Sequence, residues 1–294
     1  MNGTAKKNSA YTTPRSDNRT LMQKFAAAPH VFWSALFIII PLVFVAYYAF
    51  TNKDFQFTTE NIAVFFTPRY LTVFWRSVKL ALIATGICLL IGYPMAYFMS
   101  KTSPKKQKIL LMLIMLPMWM NFLIRTYAWM VILQNTGIIN TFLAWVGLPG
   151  VRIIGTETAV VIGMVYDFLP YMILPIHSVI SKIDKSVIEA AEDLGCNRLR
   201  VILKVIMPLS VPGIVSGITM VFVPSVSTFY ISQQLGPTDF VLIGDVIETY
   251  FKSSAASSYH LGSAISLVLM ILIFICMAIM NRFSDDDATG GILV

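Results

Sequence analysis

Two ionisable residues, Arg125 and Asp167, stand inside runs of sequence that are otherwise apolar. A charge at the centre of a bilayer costs ~2.5–3.5 kcal/mol on insertion scales, so each carries a functional expectation by default. Tyr166 and Tyr171 lie close to Asp167, and Pro170 interrupts the local hydrogen-bond ladder, which frees a carbonyl near Tyr166. Carboxylate and carbonyl oxygens beside aromatic faces are groups that can hold a cation. The opposite charge of Arg125 leaves simpler outcomes open: the two neutralise one another, or Arg125 snorkels to the outer surface. Covalent chemistry finds no footing. The chain has no phosphate-binding glycine loop, no GxSxG elbow and no HExxH. His30, His177 and His260 are isolated, and Cys88, Cys196 and Cys276 make no CxxC pair, so neither a metal site nor a disulfide framework is expected.

A second constellation is polar and runs from Asp184 to Pro208. Asp184 is placed to cap a helix that opens at Lys185. Val187, Ala190, Ala191 and Leu194 then share one face, with Glu189, Glu192 and Asp193 off it. Gly195 suits a left-handed stop. Asn197 can cap a second helix whose apolar stripe is Leu199, Ile202, Leu203 and Ile206, with Arg200 and Lys204 on the outer side. Pro208 interrupts the ladder where the next apolar run begins. Connections in helical bundles usually take about 2–8 residues. The 181–208 stretch is far longer, twice capped and twice amphipathic, so it has a face to bury against a partner.

The elements that must position these groups follow from composition. Of the 294 residues, 56% are hydrophobic and 13% charged, and the mean hydropathy is +0.72. A spanning helix needs ~20 apolar residues to cross a core about 30 Å thick. Six stretches qualify: His30–Phe50, Leu80–Met99, Ile109–Leu133, Thr158–Ile180, Leu209–Ser232 and Leu261–Met280. They are continuously apolar rather than alternating, which argues against a barrel. The first is expected to be a retained anchor, because Thr51-Asn52-Lys53 is no small-residue cleavage site. Fifteen Lys and Arg residues fall on one side of this layout and six on the other, Arg125 aside. Basic loops stay cytoplasmic, so both termini and residues 181–208 are expected there. The net charge of +7 reflects that bias and does not call for nucleic acid.

Residues 1–24 are expected to form a disordered cytoplasmic tail, 25–281 a six-helix domain, and 282–294 a second tail. The aromatic-rich external segment 51–79 suits an interfacial helix or contact with an external partner. The external segment 134–157 suits at most a helical hairpin or re-entrant piece. A short amphipathic helix is expected near Val241–Phe251. Gly213 and Gly217 permit close backbone approach, and Pro212 and Pro224 are the local causes of any bend.

Glu189-Ala190-Ala191, Gly195 and Val205-Ile206-Met207-Pro208 follow the pattern E-A-A, three residues, G, nine residues, I-x-L-P, with Val for Ile and Met for Leu. This segment resembles the EAA loop of ABC-importer permeases. The resemblance implies an all-α membrane protein, a six-transmembrane-helix importer permease of the type I, MetI-like class with cytoplasmic coupling helices. It also implies that Glu189, Ala190, Ala191, Asp193, Gly195, Arg198 and Pro208 couple the chain to an ATPase. Leu116-Pro117-Met118-Trp119, Asn121 and Leu123 through Trp129, with Gly137, Asn140 and Leu242 through Ile247, resemble the spermidine/putrescine permeases, nearest the first of their two permease subunits.

That likeness implies an inner-membrane, multi-pass transport subunit with no enzymatic activity. Its partners would be a second, similar permease, two copies of a cytoplasmic ABC ATPase and an external polyamine-binding protein, in a lipid bilayer and without nucleic acid. ATP and Mg would be bound by the ATPase, and no cofactor by this chain. A polyamine is a chain of ammonium groups, so the implied substrate pathway takes Asp167, Tyr166 and Tyr171 from the fourth span. Phe222, Ser225, Ser227 and Tyr230 would join from the fifth and Trp119 from the third, with Arg125 structural. Related permeases carry opines, amino-acid derivatives or metal complexes on a similar scaffold. An ATP-independent carrier or channel is the alternative from another class.

Overall fold

The computed structural model describes residues 29–253 and 255–290, so the tail expected over 1–24 lies outside the described residues. The chain divides into two units, residues 1–47 and 48–294. The described residues of the first unit belong to α1 (Pro29–Ala49), an apolar helix of spanning length that widens into a π turn at Ala35–Ile39.

The second unit opens with a tight turn closed by an antiparallel bridge between Thr51 and Phe57, the only extended pairing among the described residues. Asn61 donates to the Thr51 carbonyl at 2.8 Å, and His260 Nδ1 lies 3.1 Å from the Tyr48 carbonyl. Then follow α2 (Glu60–Phe65), α3 (Pro68–Ser100), α4 (Pro104–Trp119), α5 (Phe122–Leu133), α6 (Ile138–Trp145) and α7 (Glu157–Ile180). After these come α8 (Lys185–Asp193), α9 (Arg198–Leu209), α10 (Val211–Val226), α11 (Tyr230–Leu235), α12 (Ile243–Lys252) and α13 (Ala256–Gly290). Among the described residues, four helices are long and apolar enough to cross a membrane, or six if each of two bent pairs is one span.

Those bent pairs correct the expected spans. The third, expected as one run from Ile109 to Leu133, breaks at Met120 and Asn121, and the chain turns by 92° between α4 and the α5–α6 segment. Met120 is extended, and the Asn121 side chain accepts the Leu123 N–H at 2.8 Å, which starts a new helix rather than continuing the old one. The fifth, expected as one run from Leu209 to Ser232, is divided: α10 ends at Val226, a 67° bend separates it from α9, with which it makes up one candidate span, and a short helix, α11, follows. Pro208 and Pro212 straddle the bend at Ser210, and Pro224 precedes the end of α10 at Val226. The second begins twelve residues earlier than expected, at Pro68 rather than Leu80, so Phe74 and Trp75 belong to α3 and not to an interfacial helix. The short amphipathic helix expected near 241–251 is α12.

The core is a three-helix stack of α3, α7 and α10. Small residues set its spacing, because a Cβ on Gly92 would lie 3.0 Å from Met172 Cγ and one on Gly217 would lie 2.8 Å from Met172 Sδ. Met172 thus fills the gap that two glycines leave, and it is wholly buried. A second cluster joins Phe65, Tyr70, Phe222, Ile243, Ile265 and Leu269, binding α2, α12 and α13 to the stack.

The loops sort to two ends. At one, the α3–α4 turn meets the end of α7 and the start of α8 around a cleft lined by Ser100, Lys101, Ile180 and Lys185. At the other, the Ile243 N–H donates to Ser77 Oγ at 2.8 Å, Lys79 pairs with Glu157 at 3.5 Å, and Gly155 N–H reaches the Leu235 carbonyl at 3.0 Å.

Candidate coupling face and intramembrane charge site

The helix pair after α7 forms by local rules. Asp184 accepts the Ser186 N–H at 3.1 Å and opens α8. Gly195 takes φ +82 and closes it. The Cys196 N–H reaches the Ala191 carbonyl and the Gly195 N–H the Glu192 carbonyl, at 3.1 and 2.9 Å, which is the doubly bonded glycine stop of a Schellman motif. Asn197 then accepts the Arg200 N–H at 2.9 Å and opens α9.

The buried faces differ from those expected. In α8, Ile188 and Ala191 pack on the bundle, while Val187, Ala190 and Leu194 face outward. In α9, Val201 and Ile206 are buried and Leu199 and Leu203 are exposed. The cause is packing against the bundle, where Ile188, Ala191, Val201 and Ile206 meet Tyr97, Met99 and Ile180; within α9 a π turn at Ile202–Ile206 further shifts the register of the residues after Val201. Two apolar edges result. One is packed against Tyr97, Met99 and Ile180. The other, with Leu194 86% exposed, is uncovered among the described residues. Glu189, Asp193 and Arg198 are exposed around it, Gly195 forms the turn between the helices, and Pro208 lies at the far end, before the bend.

The intramembrane charges meet across α5 and α7. Arg125 Nη1 lies 2.8 Å from Asp167 Oδ1, and the two side chains are only 9% and 4% exposed. Yet Arg125 Nε, Nη1 and Asp167 Oδ1 are buried without an aligned hydrogen bond. The contact therefore cancels charge without satisfying the groups that carry it. The Phe122 ring lies 5.7 Å from the guanidinium, Tyr230 packs against Phe122 and Tyr127 at 5.9 and 6.2 Å, and Trp129 is edge-on to Tyr166 at 5.2 Å.

The other sequence-derived pathway residues scatter. Trp119 and Tyr171 are exposed, and Ser227 is exposed with its hydroxyl turned to the Val223 carbonyl. Phe222 packs in the chain's own core with Ile265 and Leu269, and Ser225 is fully buried and donates to the Val221 carbonyl at 2.6 Å. Asp167 is thus joined through Arg125 and Phe122 to Tyr230, Tyr166 pairs with Trp129, and Phe222 and Ser225 are turned into the core. Phe122 and Tyr127, beside Tyr230, and Trp129, beside Tyr166, are not among the pathway residues expected from the sequence. Their spacing along α5 was the available signal, masked by the apolar residues between them.

Residues 88–287 match the family model described as the binding-protein-dependent transport system inner membrane component. The chain belongs to that family. This inner membrane component is 41% identical over 268 residues to the spermidine/putrescine transport system permease protein PotB of Haemophilus influenzae, covering 88% of this chain and 93% of that one. Against PotB of Escherichia coli K12 the identity is 37% over 260 residues, covering 86% and 94%. Its fold is that of a chain in a bacterial alginate ABC transporter crystallised with its pentasaccharide-bound periplasmic protein, at TM-score 0.71, 18% identity, and 91% and 95% coverage. The component is accordingly an all-α transport subunit of the MetI-like importer fold rather than an enzyme.

Proposed function

We propose that this chain is a permease subunit of an ATP-driven importer for polyamines of the spermidine/putrescine type. The observation that carries the reading is the 41% identity to a spermidine/putrescine permease, spanning 93% of that protein. Basic residues concentrate on the end that holds α8 and α9, so that end and both termini lie in the cytoplasm. The exposed edge of Val187, Leu194, Leu199 and Leu203 seats a cytoplasmic ATPase, which removes that apolar surface from water at about 25 cal/mol per Å². Glu189, Asp193 and Arg198 give the contact its charge pattern, and Gly195 its shape. A second, non-identical permease completes the pathway, and two ATPase copies bind the ATP and Mg. An external binding protein delivers the polyamine. ATP binding favours one arrangement of the bundle over the other, so transport is a population shift driven from α8 and α9.

Uptake of radiolabelled spermidine by vesicles holding all four components tests the cargo. Uptake of a different solute in its place would transfer the same machine to another cargo. Glu189→Arg should release the ATPase in a pull-down; retention of the ATPase with wild-type uptake would remove the coupling assignment.

A further inference from the structure

The Arg125–Asp167 pair holds together poorly for a purely structural device. A buried ion pair offsets the desolvation of its two groups only when its geometry is good and the remaining polar atoms are hydrogen-bonded. Arginine and carboxylate meet this condition with two parallel N–H···O bonds. Here Nη1 and Oδ1 are 2.8 Å apart, yet neither is aligned for a hydrogen bond, and Nε is buried without one. Charge is compensated while hydrogen-bonding capacity is left over. A carboxylate in that condition holds a replaceable cation.

The surroundings allow replacement. Arg125 sits in the first turn of α5, directly after the break where the third span turns by 92°. It is therefore tethered to a broken segment rather than to the α3–α7–α10 stack that carries Asp167. The Phe122 ring lies 5.7 Å from the guanidinium, and the ring of Tyr166 adjoins the carboxylate in sequence. A guanidinium leaving Asp167 stays beside the Phe122 face.

Resting on the cationic cargo argued above, we propose that Arg125 is a tethered counter-cation, which occupies the Asp167 carboxylate in the empty transporter and is displaced by a cargo ammonium during passage. The exchange keeps the buried carboxylate neutralised at every stage. It also limits the grip on cargo, since an arriving ammonium must compete with a cation that cannot diffuse away, and apparent affinity falls by the fraction of sites already vacated. Weakened grip is what release on the far side requires.

The test uses the complete transporter, both permeases with the ATPase and binding protein, reconstituted in liposomes and supplied with radiolabelled spermidine. Asp167→Asn should abolish uptake. The neutral double variant Arg125→Gln/Asp167→Asn should assemble, judged by co-purification of all subunits, and stay inactive, because no charge is unpaired but the cation site is gone. Arg125→Gln should hold spermidine on the detergent-solubilised complex, with release slowed roughly thirtyfold or more, the scale of a change at one partner of a buried charge pair. Arg125→Lys should retain uptake. Wild-type uptake by the double variant would show that the pair only cancels charge and would overturn the exchange, as would unchanged spermidine release from Arg125→Gln. Should Arg125→Gln fail to assemble, the double variant decides alone. Absence of spermidine uptake by the wild type would remove the cargo reading and the exchange with it, so the two failures are told apart by that control.

Discussion

Asp245 offers a way to read the loops around α12 by titration. At the first turn of α12, its Oδ2 accepts the Leu242 N–H and the Ser232 hydroxyl, each at 2.8 Å, while Oδ1 is buried without a hydrogen bond. Burial, with a smaller push from the Glu248 charge, raises its carboxyl from the ordinary 3.8 to about 6, against the opposing pull of hydrogen bonds from Leu242, Ser232 and Gln233. A carboxyl raised in the folded state binds its proton more readily folded than unfolded. Its contribution to stability is therefore full below about pH 4 and is lost as pH rises through about 6. A gap of this size is worth about 3 kcal/mol at most. For a chain of this length that corresponds to about 5–10 °C in unfolding midpoint. Asp245→Asn keeps the shape and an acceptor but removes the titration. Thermal unfolding of the purified protein in detergent, followed by fluorescence at pH 4.5 and 7.5, should show the wild type losing ground to the variant at the higher pH. A difference between the two proteins that is the same at both pH values would refute the reasoning.

Three further outcomes are expected. Gly195→Val forces a branched side chain into φ +82, where no neighbouring atom lies within 4 Å of a Cβ, so the effect is backbone strain of about 1–2 kcal/mol. Amide exchange should quicken over residues 184–197, with the midpoint of the whole chain unchanged. Leu194→Asp falls on a side chain that is 86% exposed and should shift stability by no more than about 0.5 kcal/mol. ATPase co-purification should nevertheless drop; an undiminished yield would move the docking face elsewhere. Gly217→Leu places a side chain whose Cβ starts 2.8 Å from Met172 Sδ and 3.2 Å from the Met172 carbonyl oxygen, an overpacking of about 1–3 kcal/mol that a lower midpoint should report.

Legibility in the sequence followed the range of the forces involved. Asp184, Gly195 and Asn197 act within a few residues of themselves, and the caps and stop read from them are the ones that form. Which faces those helices bury was less readable, because Ile188, Ala191, Val201 and Ile206 are chosen by contact with the distant Tyr97, Met99 and Ile180, and the π turn at 202–206 further breaks the regular period of the second helix. The break at Asn121 escaped hydropathy for a related reason. Leu116 through Trp129 stays apolar across it, and only the capping capacity of one asparagine distinguishes a bent run from a straight one. The meeting of Arg125 with Asp167 was open as one outcome among several; choosing it requires knowing that α5 lies against α7. Phe222 and Ser225 look from the sequence as eligible for a pathway as Tyr230, and it is the placement of α13 that turns Phe222 inward.

The length of α3 has a mechanical consequence. Its 33 residues extend about 50 Å, whereas the hydrocarbon layer is about 30 Å deep. One continuous rod therefore touches both surfaces: Tyr97 and Met99 lie under the α8–α9 pair, and Ser77 grips the first turn of α12 at the opposite end. Pro94, set close to the inner tip, is the proline inside it and acts as a wrist. A small tilt imposed on the short length beyond that wrist is carried along the stiff longer length and magnified, so the Ser77 end moves farther than the end beside α8 and α9.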